Sequence, residues 1–98
     1  NGHLKEVKGE NSEKISILLE NENNSSLGEL GIGTNKSAVL CGIILEDEKV
    51  YGSVHIAFGT NTSFGGTVKA DCHMDGVILK PDLYLDEVLV MKNGEIIV

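Results

Sequence analysis

The chain has 98 residues, of which 41% are hydrophobic and 23% are charged, and its net charge is −7. This composition predicts a single folded domain over residues 1–98 and excludes a mostly disordered or disulfide-rich chain. The eight basic residues are all Lys, which disfavours nucleic acid and phosphorylated ligands as partners. No apolar run approaches the roughly 20 residues of a membrane span, and two cysteines are typical of a reduced, cytoplasmic protein.

Strands are predicted along the first third of the chain. The segment His3–Val7 reads as a short strand, and apolar residues at every second position of Lys14–Glu20 predict a half-buried strand. Leu27–Gly33 reads as a Gly-rich strand in which Leu30 and Ile32 face the core.

The main helix is predicted at about residues 47–58. Val50, Val54 and Phe58 recur at intervals of four residues, which is typical of one helical face. Acidic residues crowd the first turn of this segment, and Gly59 stands where a helix should end.

The remaining third of the chain is predicted to be antiparallel β-structure. Five strands are expected there: Thr67–Asp75, Val77–Lys80, Leu83–Leu85, Val88–Met91 and Glu95–Val98. The pair Asn93-Gly94 between apolar runs is a strong hairpin signal. The predicted fold class is therefore α+β, a mostly antiparallel β-sheet or meander with one main helix.

Two ligand-type side chains are predicted to lie on one face of a late strand. His73 and Asp75 are two residues apart, so an extended backbone points both side chains the same way, close enough to converge on one cation. Cys72 and Met74 point to the other face, which argues against a zinc finger. A surface His and Asp beside a turn is the simpler explanation that stays open.

Glu29 and His55 are further candidates for a cation site. Glu29 shares its strand face with Gly31 and Gly33, which have no side chains and leave open space beside the carboxylate. His55 falls in the last turn of the predicted helix, where exposed carbonyl groups favour a cation. A solvated Glu and a core His would explain the same residues. Together, two His and two carboxylates suit zinc, cobalt, manganese or ferrous iron.

Four segments, in this order along the chain, carry a family resemblance. They are Gly28–Asn35 (GELGIGTN), Ile44–Lys49 (ILEDEK), His55–Gly59 (HIAFG) and His73–Gly76 (HMDG). From about Leu27 to its end the chain resembles the C-terminal part of the thermophilic metallo-aminopeptidase family. That family includes aminopeptidase T and aminopeptidase S, and its members are often labelled leucyl aminopeptidase.

The resemblance implies a hydrolase that releases N-terminal residues from peptides with two divalent metal ions, zinc, cobalt or manganese. Glu29 would be the catalytic, bridging carboxylate, and Glu29, His55, His73 and Asp75 would be metal ligands. The resemblance also implies a homodimer, and a further Glu ligand in an N-terminal portion absent here. Because the chain begins at Asn1 and not at Met, we expect a C-terminal fragment. Alone, it should bind metal weakly or not at all and be inactive.

Two alternatives to the aminopeptidase stay open, because the chain departs from the pattern of that family. The family has a catalytic Tyr seven residues after its helical His, but this chain has Thr62 at that position, and the nearest aromatic residue is Phe64. The same superfold includes a ring-opening dihydroxypyridine dioxygenase with two His and one carboxylate on ferrous iron. The residues His55, His73 and Asp75 would satisfy that ligand set. The other alternative is a non-catalytic, β-rich interaction module.

Overall fold

The computed structural model describes residues 2–98 and consists of two three-stranded antiparallel sheets with two α-helical segments. The helices are α1 (Ser12–Leu19) and the single turn α2 (Ile44–Asp47), with 3-10 turns at Glu22–Ser25 and Thr62–Phe64. The strands are β1 (Leu27–Ile32), β2 (Ser53–Gly59), β3 (His73–Leu79), β4 (Leu83–Leu85), β5 (Val88–Lys92) and β6 (Glu95–Ile96). The sheet orders are β1-β2-β3 and β4-β5-β6. The β-rich α+β fold class is confirmed.

The described residues group into two compact units. The first comprises the chain up to Glu29 together with Ile56–Asp75, and the second comprises Leu30–His55 and Gly76–Val98. Within residues 2–98, no helix has both the length and the apolar character needed to cross a bilayer.

The helix predicted at about residues 47–58 is wrong. Helical structure stops at Asp47, the chain turns through Gly52 with φ at 80°, and β2 follows. A spacing of four residues fits a helical face, but it equally fits every second position of one strand face. The β-branched and aromatic residues of this segment, Val54, Ile56 and Phe58, favour the strand. Both faces of β2 are largely buried, so it lacks the usual alternation.

The strand predicted at Lys14–Glu20 is also wrong, because this segment forms most of α1. Its half-buried apolar residues are Ile15 and Leu19, four residues apart, whereas Ile17 is 66% exposed. A run of eight residues fits both the helical and the strand period. Within residues 2–98, the predicted strand His3–Val7 forms one bridge, from His3 to Ser26, and offers this segment no neighbouring strand to pair with.

The C-terminal meander forms as predicted. Leu85 pairs with Val88 across one two-residue turn, and Lys92 pairs with Glu95 across the next. In each turn both central residues have positive φ, which is the geometry of a type I′ hairpin. Those residues are Asp86 (48°), Glu87 (71°), Asn93 (47°) and Gly94 (79°).

The faces of two strands differ from the prediction. Leu30 and Ile32 were expected to face the core, but they are 53% and 39% exposed, and Glu29 lies on the more buried side of β1. The predicted strand at Thr67–Asp75 begins only at His73, where β3 starts. Of the described residues, the buried apolar ones are Val54, Ala57 and Met91.

Candidate metal centre

Three ligand-type side chains converge in the first unit. Glu29 projects from β1, and His73 and Asp75 project from the same face of β3, as their spacing predicts. His73 Nε2 lies 3.2 Å from Asp75 Oδ1 and 3.3 Å from Glu29 Oε2. One ligand atom from each residue lies within 4.8 Å of the other two. The three side chains are 15–27% exposed, and the Asp75 Oδ1 atom that faces His73 is itself buried.

A backbone carbonyl fixes the orientation of the His73 ring. His73 Nδ1 donates a hydrogen bond to the carbonyl oxygen of Thr60, with a nitrogen–oxygen distance of 2.8 Å. A carbonyl oxygen can only accept, so the neutral ring carries its proton on Nδ1 and a lone pair on Nε2. That lone pair faces Glu29 and Asp75. Metal-binding His residues commonly use one ring nitrogen this way, to a carbonyl or carboxylate, and the other for the metal.

The electrostatics of the cluster favour a positive charge at Nε2. The hydrogen bond to the Thr60 carbonyl, and then the negative charges of Asp75 and Glu29, raise the pKa of His73 above its ordinary value of 6.5. Partial burial opposes this change in pKa. A proton and a divalent cation would occupy the same place, so they should compete for it.

The donor set of the cluster fits a divalent metal ion. One imidazole nitrogen and two carboxylate oxygens suit zinc, manganese, cobalt or ferrous iron. Two carboxylates so close together repel each other unless a cation or a proton lies between them. The predicted ligands Glu29, His73 and Asp75 are therefore brought together by the fold, and metal binding itself stays a prediction.

His55, the fourth predicted ligand, lies on β2 in the second unit. The sequence argument that exposed carbonyl groups at a helix end favour a cation near His55 does not apply, because Ser53–Gly59 is a strand. Its side chain is 6% exposed, and Nε2 lies 3.8 Å from Glu48 Oε2, while Glu48 also pairs with Lys49. A Cβ at Gly31 would overlap the imidazole ring, so this glycine provides the space for it. Metal ligation by His55 stays a prediction.

Several residues around these groups carry no sequence signal that would identify them. Thr60 acts through its backbone carbonyl, which every residue possesses. The ring of Phe64 lies 5.9 Å from the His73 ring, centroid to centroid, and this side chain is 62% exposed. Glu48 is one of three consecutive acidic residues, and the spacing alone does not single it out as the partner of His55.

Part of the chain is similar in sequence to a dioxygenase. No protein-family model matches the chain, and no solved structure matches it. Over 56 residues the chain is 32% identical to 2,5-dihydroxypyridine 5,6-dioxygenase of Pseudomonas putida. The match covers 57% of this chain and 16% of that protein, so the chain corresponds to a small part of the relative's length.

Proposed function

We propose that this chain carries the divalent-metal centre of a non-haem iron, ring-opening dioxygenase. The proposal rests on the convergence of Glu29, His73 and Asp75, whose ligand atoms lie within 4.8 Å of one another. This cluster supplies one His and two carboxylates, so it differs from the set of two His and one carboxylate, His55, His73 and Asp75, that was expected for such a dioxygenase. The partial similarity to 2,5-dihydroxypyridine 5,6-dioxygenase favours this activity over other metal-dependent reactions. The match is limited to part of the chain, and the activity is a hypothesis about the whole enzyme.

Each residue of the cluster has a distinct role in this proposal. The two carboxylates and the neutral His73 together carry a charge of −2, which balances a divalent ion. Thr60 holds the His73 ring so that Nε2 faces the metal position. Glu29 is more exposed than Asp75, 23% against 15%, so we assign proton transfer with a substrate hydroxyl group to Glu29. A bound ferrous ion would supply the redox chemistry toward dioxygen.

Phe64 suits a flat, ring-shaped substrate. Its ring is tilted 56° from the plane of His73 and is largely exposed to solvent beside the cluster. An aromatic ring can pack against such a surface in an offset or edge-to-face arrangement, worth about 0.5–1.5 kcal/mol beyond burial. A dihydroxylated ring in contact with Phe64 would therefore lie close to the metal position.

The test of the proposed function separates metal uptake from turnover. The family resemblance implies weak or no metal binding by the fragment alone, but the convergence of three ligand atoms leads us to expect that the 98-residue chain binds Fe²⁺ under anaerobic conditions. Asp75→Asn should abolish or greatly weaken this uptake. Oxygen consumption with 2,5-dihydroxypyridine should then be measured on the longer polypeptide that the family resemblance implies. Consumption of one oxygen per ring opened would support the proposal. Tight iron binding without oxygen consumption would contradict the dioxygenase activity.

The second candidate function is metallo-aminopeptidase activity. It is favoured by the order of Glu29, His55 and the His73–Asp75 pair along the chain, and by two carboxylates in one cluster, which two metal ions would share. In that case Glu29 would be the catalytic, bridging group. Hydrolysis of leucyl amides by the zinc-, cobalt- or manganese-loaded longer protein, without oxygen consumption, would favour this candidate over the first.

A further inference from the structure

One loop side chain connects the strand that carries Glu29 to the loop that holds His73. Asn61 Nδ2 donates to the carbonyl oxygen of Gly28, the residue before Glu29, at 3.0 Å. Asn61 follows directly after Thr60, whose carbonyl oxygen accepts from His73 Nδ1. Asn61 is therefore one peptide bond from Thr60, which holds the His73 ring, and one hydrogen bond from Gly28, which precedes Glu29.

The same side chain also closes its own loop. Asn61 Oδ1 accepts from the backbone N–H of Val68 at 3.0 Å. The backbone N–H of Asn61 donates to the Val68 carbonyl, and the N–H of Gly66 donates to the Asn61 carbonyl. The nitrogen and the oxygen of the Asn61 side-chain amide are thus both hydrogen-bonded, which restricts rotation of the side chain away from Gly28.

The packing around Asn61 depends on two close backbone approaches. A Cβ at Gly66 would overlap the amide group of Asn61. A Cβ at Gly28 would lie 2.7 Å from the carbonyl oxygen of Gly59 and 3.4 Å from Asn61 Cβ. Neither glycine has a positive φ, so the absence of a side chain, and not an unusual backbone conformation, is what these positions require.

We propose that Asn61 is a positioning residue for the metal centre, because it sets the placement of Glu29 relative to the His73 ring. The proposal rests on the proposed function only in that the cluster of Glu29, His73 and Asp75 binds a metal ion. Without the amide, the Gly28 carbonyl loses its partner and β1 can shift against the loop. Loss of a ligand's own hydrogen-bond partner typically weakens metal affinity by about 10–100-fold. Asn61 acts one bond further from the ligands, so we expect the lower end of that range, about tenfold.

The experiment is a Co²⁺ titration of the full 98-residue chain, followed by visible absorption and by calorimetry. Asn61→Ala should weaken Co²⁺ binding about tenfold and change the visible spectrum. The matched control is Asn24→Ala, which removes the same kind of side-chain amide from the same unit: Asn24 Nδ2 donates to the Leu18 carbonyl and Oδ1 accepts from the Asp71 N–H. Asn24→Ala leaves the bond from Asn61 to Gly28 intact, so it should bind Co²⁺ like the wild type, with an unchanged spectrum.

A third variant keeps the test informative if Asn61→Ala does not fold. Asn61→Asp retains the acceptor for Val68 and loses the donor for Gly28, and its fold is checked by circular dichroism. Its added charge acts on affinity, so the shape of its cobalt spectrum is the quantity compared. The spectrum should differ from that of the wild type.

The outcomes distinguish this inference from the proposed function. A wild-type chain that binds no Co²⁺ would overturn both. A wild type that binds Co²⁺ while Asn61→Ala keeps the same affinity and spectrum would overturn the inference alone. Equal weakening in Asn24→Ala would also overturn it, since general loosening of this unit would then explain the effect.

Discussion

Replacing Asp75 by Asn should change the stability of the metal-free chain in opposite directions at low and high pH. Below its raised pKa, His73 is protonated and attracts Asp75. Above that pKa the ring is neutral, and Asp75 faces the carboxylate of Glu29. In the first case Asp75→Asn removes an attraction to His73 that exceeds the repulsion from Glu29, and in the second case it removes the repulsion alone.

The magnitude follows from the distances in the cluster. At 3.2 Å, the attraction between His73 and Asp75 is about 5 kcal/mol for an effective dielectric constant of about 20. The repulsion between carboxylates at most 4.8 Å apart is about 3.5 kcal/mol by the same relation. Partial exposure, salt and side-chain entropy reduce each to about 1 kcal/mol of net stability. We therefore expect about 1 kcal/mol of destabilisation near pH 5.5 and about 1 kcal/mol of stabilisation near pH 9.

The sign agrees with proton linkage. A group whose pKa is raised by folding stabilises the folded chain fully below its unfolded pKa, and this contribution is lost as the pH rises through the folded pKa. The assay is urea unfolding of wild type and variant, with chelator present, because guanidinium salts would screen the charges. The NMR titration of His73 should give a lower pKa in the variant. A stability change of the same sign at both pH values would refute this account of the cluster.

Three further predictions concern the cluster and its surroundings. Metal affinity should fall about tenfold per pH unit below the raised pKa of His73, because the ion displaces one proton, as calorimetry across pH can measure. Gly31→Ala should cost about 1–3 kcal/mol by overpacking against His55, and His55→Ala in the same chain should recover part of that loss in urea unfolding. The Asp47 carboxylate accepts from two backbone N–H groups at residues 41–42, so Asp47→Ala should cost about 1–3 kcal/mol and speed hydrogen exchange there.

The parts of the fold that follow from short-range chemistry were predictable from the sequence. The meander depends on two-residue turns such as Asn93-Gly94, whose conformation is a property of the residues themselves. The pairing of His73 with Asp75 depends on the two-residue period of an extended chain, and it too is local.

The errors arose where two periods fit the same residues. Val50, Val54 and Phe58 satisfy a helix and a strand equally well, and the neighbouring strands that decide the outcome lie far away in the sequence. The exposure of Leu30 and Ile32 could not be predicted either, because distant elements decide it. The elements packed against β1 determine which of its faces is buried, and the alternation of its own residues does not.

The candidate site was predictable only in part. The approach of Glu29 to His73 joins residues 44 positions apart, so spacing could not show it, and the family resemblance supplied it. The contacts of His73 with Thr60 and of Asn61 with Gly28 both end on backbone carbonyl groups, which leave no residue pattern. The contact between His55 and Glu48 likewise requires three-dimensional coordinates.

The central claim, that Glu29, His73 and Asp75 bind one divalent cation, is tested most directly by anomalous diffraction from crystals of the chain grown with Co²⁺. We predict an anomalous peak within about 2.0–2.2 Å of His73 Nε2 and of one oxygen from each carboxylate. A well-occupied peak at other residues, with these three side chains in contact only with one another, would contradict the claim.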